Sequence, residues 1–212
     1  MGGVLIVGAT LSACSSGTST SGPTTSPTVS PATTVATAGS GQPTSDITLS
    51  TSLPPWPLPT DAGPDLAAAG LQVQSGETLQ VHYHVHVDII NVTQGVVVPA
   101  GIGFLIQKGQ AIGLTSLHTH DTTGIVHIES TTNVPFTLGQ VFTEWDVRLT
   151  ANQVGGLVIG NGNTMHIEVN GTVFTGDPAT IVLRPHQEIG IWYGPASTTP
   201  QIPSRYSFPP GD

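Results

Sequence analysis

Basic residues are nearly missing from this chain. Lys108, Arg148, Arg184 and Arg205 stand against thirteen acidic residues, a formal charge of −9, so no cationic footprint for a phosphate backbone exists and nucleic acid is excluded as a partner. Charge of either sign is scarce, at 8% of residues, which argues against long helices whose outer faces need Lys, Glu and Arg. No apolar run is long enough to span a bilayer. Cysteine is reduced to Cys14, so no internal disulfide can hold the fold.

What is abundant is Gly, at 26, and Pro, at 18. That composition suits short strands joined by tight turns, and the expected fold is mainly β: an antiparallel sandwich or partly open barrel with one short α-helix. Residues 15–45 are Ser, Thr, Pro, Gly and Ala with little to bury. They read as a disordered tether of about 30 Å r.m.s. span and about 100 Å extended reach. Residues 46–212 remain as a single β domain.

Cys14 follows Leu11-Ser12-Ala13, and Val4 to Leu11 is a short apolar stretch. Residues 1–14 resemble the signal and lipobox of bacterial lipoproteins, although Met1-Gly2-Gly3 lacks the usual basic residue. The resemblance implies export, thioether lipidation of Cys14, and anchoring to the outer face of the cytoplasmic membrane. The membrane would be met through that lipid only.

Within the domain, Leu53-Pro54-Pro55-Trp56-Pro57-Leu58-Pro59 is too rich in proline for a helix or central strand and reads as an extended strap with Trp56 docked. Asp65 to Ala69 reads as one helical turn capped by Asp61 or Asp65. Phe136 to Asp146 is the clearest helix, opened by the T-x-x-Q capping box of Thr137 and Gln140. Asn170-Gly171 marks a hairpin, and Glu188 to Tyr193 a last strand.

Six of the eight histidines fall between Val81 and Glu129. From Gln80 to Ile90 the chain alternates: Val81, Tyr83, Val85, Val87 and Ile89 share one face, and His82, His84, His86 and Asp88 the other. Thr115 to His120 and Ile125 to Glu129 flank the turn Asp121-Thr122-Thr123-Gly124 and read as a hairpin. An unbulged register sets Leu117 on the side of Val126 and Ile128, His118 opposite His127 and Ser116 opposite Glu129. It gathers His118, His120, His127 and Glu129 on one face.

Imidazole is the common ligand of zinc and copper, and H-x-H on a strand sets two rings on one face about 6.8 Å apart at Cα. His82 and His86 are about 13 Å apart, so all three of the first group on one ion would be strained. The expected centre is one transition metal ion, copper or zinc, held by two of His82, His84 and His86 with one or two of His118, His120 and His127. Asp88, Asp121 or Glu129 would supply an extra ligand or orient a ring. The bland alternative is a polar face or a hydrogen-bonded histidine ladder. His166 and His186 stand alone, with Glu168 and Glu188 read as ordinary exposed neighbours.

His-x-His-x-His, Val98 to Gly103, Leu117-His118-Thr119-His120-Asp121 with Gly124 and His127-Ile128-Glu129-Ser130, then Phe136 to Gln140, together resemble a group of uncharacterised exported proteins of bacteria and archaea. The resemblance covers about residues 80 to 193 and implies a shared domain, with no reaction attached. Three functions stay open on sequence. The first is metal capture, delivery or sensing, with no protein partner indicated. The second is a metal-dependent hydrolase or oxidoreductase with Glu129 or Asp121 as general base and Trp145 or Tyr83 near the pocket. The third is a metal-free glycan or protein binder using Trp56, Trp192 and Tyr193.

Overall fold

The computed structural model of the chain describes residues 47–77 and 80–211. The expected signal and tether, residues 1–14 and 15–45 with Cys14, lie outside the described residues. What is described is mainly β, in sheets that do not close into a barrel. No helix among these residues is long and apolar enough to cross a membrane.

The main sheet runs β11 (Thr172–Val173), β10 (Asn163–Val169), β12 (Glu188–Pro195), β1 (Val81–Asn91), β6 (Ile125–Ser130), β5 (Leu117–His118), with β2 (Gln94–Val96) also on β1. A hairpin of β3 (Phe104–Gln107) and β4 (Gln110–Leu114) and a small meander of β7 (Leu149–Thr150), β8 (Gln153–Val154) and β9 (Leu157–Val158) stand apart. The antiparallel expectation has one exception at the centre. β1 and β12 are parallel, with His86 opposite Glu188 and Ile89 opposite Ile191. Parallel neighbours cannot be joined by a tight turn, and here everything from β2 to β11 forms the connection.

The alternation of β1 is explained by a sheet covered on both sides. Val85, Val87 and Ile89 enter the core with Val126, Ile128, Ile189 and Ile191, while His84 and His86 are buried on the opposite face. The core is closed by α2 (Leu138–Glu144), whose Leu138, Val141 and Phe142 are buried together with Trp145 at its end. The capping box forms as read: Thr137 Oγ1 accepts from the Gln140 amide and Gln140 Oε1 accepts from the Thr137 amide. The helix is shorter than the sequence suggested because Trp145 is its C-cap and Asp146 takes a positive φ of 57°.

A second helix was not counted as such from sequence. α1 (Gly63–Ala68) has Ala62 at its N-cap and no side-chain cap; Asp61 instead accepts from the Gly63 amide. The strap docks as expected. Trp56 is buried edge-on to Trp145 at 5.7 Å between centroids, and Trp145 Nε1 donates to the Trp56 carbonyl. Burial also removes a ligand platform: Trp192 is fully buried, donating to the Val92 carbonyl, and Tyr193 is half-buried, donating to the Val158 carbonyl.

Candidate metal centre

Strand register builds the site. His84 of β1 lies directly opposite His127 of β6, and His127 directly opposite His118 of β5, so three imidazoles form one row across three strands. The neighbouring row sets His82 opposite Glu129, and the Glu129 amide bonds the Ser116 carbonyl. The apolar side of the same register puts Leu117 opposite Ile128. It is the burial of that apolar side that locks the histidine side in place.

The ring nitrogens converge. His82 Nε2 and His84 Nε2 are 3.1 Å apart, and His84 Nε2 and His127 Nδ1 2.9 Å. In its plane, His84 Nε2 has one proton or one lone pair, never both, so it cannot make two good hydrogen bonds to these neighbours. Nitrogens bound at 2.0–2.1 Å to a tetrahedral ion lie about 3.3 Å apart, close to the spacing seen. Glu129 Oε1 stands 3.3 Å from His82 Nε2 and 4.0 Å from His118 Nε2. His120 Nε2 lies 3.3 Å from Glu77 Oε1.

His118 has the most constrained environment. Its ring is fully buried, and Nδ1 meets the Thr115 carbonyl at 3.1 Å. That oxygen only accepts, so Nδ1 carries the proton and Nε2 the lone pair. Nε2 has no hydrogen-bond partner among the described residues. Burial is the largest cause that lowers the His118 pKa to about 4, and burial with the nearby histidines lowers His127 to about 3. Both are neutral, as ligands must be.

Thr115 is held in turn from the helix. Its hydroxyl lies 2.8 Å from the Leu117 carbonyl and 2.6 Å from Glu144 Oε1. One hydroxyl proton serves one acceptor, and the carbonyl can only accept. Glu144 therefore donates as a neutral acid, consistent with burial raising its pKa well above the usual range. On the other side Phe104 meets the rings of His118 and His120 edge-on, each at 5.7 Å. Solvent reaches the cluster past His82 and His120, whose side chains are 35% and 41% exposed.

His86 is placed apart from this cluster. Nδ1 is 2.8 Å from Glu188 Oε2 and Nε2 2.8 Å from the Thr123 carbonyl, and Asp88 completes a separate group. Burial pushes the His86 pKa down, but Glu188, the Thr123 carbonyl and Asp88 outweigh it and the net shift is upward. Nε2 is thus committed to the Thr123 carbonyl, while Nδ1 with Asp88 and Glu188 forms a group of its own that could hold an ion apart from the main cluster. Tyr206 of the C-terminal tail stacks on the ring, 3.7 Å between centroids. Glu188, read as an exposed neighbour of His186, is buried here. Asp121 is exposed in its turn, accepting from the Thr123 amide and hydroxyl, which lowers its pKa and makes it a weak base.

The His86 pair has a pH signature. A histidine whose folded pKa is raised stabilises the fold fully below its ordinary value and loses that contribution as pH rises through the folded value. Glu188→Gln in metal-free protein is expected to cost on the order of 3 kcal/mol at pH 6 and much less at pH 9. Thermal unfolding at the two pH values checks this; equal losses would remove the pair from the account.

Glu77, Thr115, Glu144 and Glu188 were not singled out by sequence pattern. The available cue was Thr115 three residues before His118, because Glu77 sits in a loop without periodicity, Glu188 read as an exposed position and Glu144 lies off the apolar stripe of its helix. No family model, no curated protein and no solved structure matches this chain.

Proposed function

We propose that this chain is a lipid-anchored protein of the cell envelope that binds copper or zinc for capture, delivery or sensing, with Cys14 as the anchor and residues 15–45 as the tether. The observation that carries the metal reading is His118, a buried neutral imidazole with one nitrogen fixed by a backbone carbonyl and the other presented to neighbouring ligand atoms. That is the arrangement in which protein histidines hold zinc and copper. His82, His84, His127 and His120 supply further nitrogens, and Glu129 an oxygen. A donor set of imidazole and carboxylate without thiolate suits Zn(II) or Cu(II) and not Cu(I).

The whole chain, purified untagged with and without added copper and zinc, is expected to retain at least one equivalent of one of them after dialysis, read by elemental mass spectrometry. Retention of neither would overturn the proposal.

A second reading, a metal-dependent hydrolase or oxidoreductase, is favoured by the solvent-reached edge at His82 and His120, where a bound ion would keep a position for water or oxygen. Glu129, buried beside that edge, would serve as its base. Turnover of ester, phosphoester, peroxide or superoxide that is lost on chelation and restored by one metal would select it over capture.

A further inference from the structure

We infer that the histidine face holds two metal ions side by side, bridged by Glu129. This rests on the metal reading above and deepens it. Five imidazoles and two carboxylates offer ligand atoms at one place, whereas a tetrahedral zinc takes four. The surplus is not idle surface: it includes His118 Nε2, a buried lone pair whose desolvation nothing among the described residues offsets.

The ligand atoms divide into two sets. His82, His84 and His127 form one, all within 4.8 Å of one another. The other is centred on His118, which is within that distance of His120 and His127 in one grouping and of Glu77 and Glu129 in another, with His120 Nε2 and Glu77 Oε1 3.3 Å apart. Each set has the size of a complete coordination sphere with a position left for solvent. Glu129 Oε1 lies between them, 3.3 Å from His82 Nε2 and 4.0 Å from His118 Nε2. Carboxylate-bridged ions sit about 3.5–4 Å apart, and Glu129 is the carboxylate with an oxygen near a nitrogen of each set.

The two sets also arise from different elements. The first is carried by β1 and β6, which the core holds rigidly on their apolar side. The second is carried by the arm 115–120, fixed by Thr115 and Glu144, and by Glu77 from the loop before β1. Loss of one set therefore leaves the other standing, which gives the proposal its test.

Chelator-stripped full-length protein is titrated with Cu(II) alone, and bound copper is measured by elemental analysis after dialysis while electron paramagnetic resonance counts unpaired spins. Two coppers per chain are expected, with a spin count well below two because a shared carboxylate couples the pair. His82→Ala and His120→Ala, both at solvent-exposed rings, are each expected to bind one copper with one full spin. His186→Ala is expected to keep two. One copper in the unaltered chain would overturn the pair and leave the metal reading intact, and none would overturn both. Two coppers with two full spins would overturn the Glu129 bridge.

Discussion

Replacing His118 by glutamine is expected to weaken metal binding by about 100-fold or more, the upper end of what loss of a supporting residue around a metal causes, since here a ligand itself is lost. Glutamine keeps most of the side-chain volume, so the fold is spared the cavity that alanine would leave in a fully buried position, worth about 2–4 kcal/mol. The loss should appear in equilibrium dialysis with a melting temperature close to that of the unaltered protein. His186→Ala, at an exposed ring outside the cluster, is expected to change nothing. Protons should compete poorly for the same reason that His118 is a good ligand. Folded-state pKa values of about 4 for His118 and about 3 for His127 mean that both stay deprotonated at pH 5.5, where an ordinary imidazole is about nine-tenths protonated. Metal retained at pH 5.5 and released near pH 4 is the expected profile. Equal binding by the glutamine variant would remove His118 from the ligand set.

The second large effect is expected at a residue with no side chain. Gly103 adopts φ of +80°, and a Cβ there would fall on the Leu117 carbonyl oxygen and 3.0 Å from the Cβ of His118. Neither can yield. The segment is stitched to the histidine arm by Thr115 N–H to the Gly103 carbonyl, Thr119 N–H to the Ile102 carbonyl and Gly101 N–H to the Thr119 carbonyl, and Leu117 also accepts from the Thr115 hydroxyl. Gly103→Ala is therefore expected to destabilise the domain by about 3 kcal/mol or more, through left-handed strain and backbone overlap together. It should also lower metal affinity, because relief of the overlap moves Leu117 and with it His118. Gly109 is the matched control. It too has a positive φ, of 76°, but nothing stands within 4 Å of its Cβ position, so Gly109→Ala should cost only the strain, about 1 kcal/mol. Chemical denaturation of the three proteins, with dialysis against metal, separates the two contributions. If Gly103→Ala and Gly109→Ala cost the same, the close approach at Gly103 has no energetic weight.

Much of this site could be read from local pattern. Period-two alternation placed His82, His84 and His86 on one face of β1, and the apolar side of Leu117, Val126 and Ile128 chose the register that sets His118 against His127. The capping box placed α2 to within two residues at each end. What escaped depends on pairings distant in sequence. The parallel match of β1 with β12 joins positions separated by 102 residues at His86 and Glu188. No local pattern announces it, so Glu188 passed for a surface residue and the partner of His86 was invisible. Glu144 was hidden for a different reason. A glutamate at the end of a helix ordinarily faces solvent, and only the contact with Thr115 explains its burial as a neutral acid. Trp192 and Tyr193 show the converse error: aromatic residues near the end of a chain resemble a binding platform until the strand that carries them proves to be central.

The central position of β12 bears on the order in which the molecule assembles. β1 meets β6 across 43 residues at His84 and His127, but it meets β12 only after the chain has run on to residue 188 and beyond. A nascent or unfolding chain can thus pair β1 with β6 while the other flank of β1 still lacks its partner. Pairings so distant in sequence form late and slowly, and an unpaired central edge is a template for association with other chains. The histidine row, by contrast, belongs to the part that closes early. An ion gripping His84 and His127 would hold that register before β12 arrives, so metal should speed refolding as well as slow unfolding.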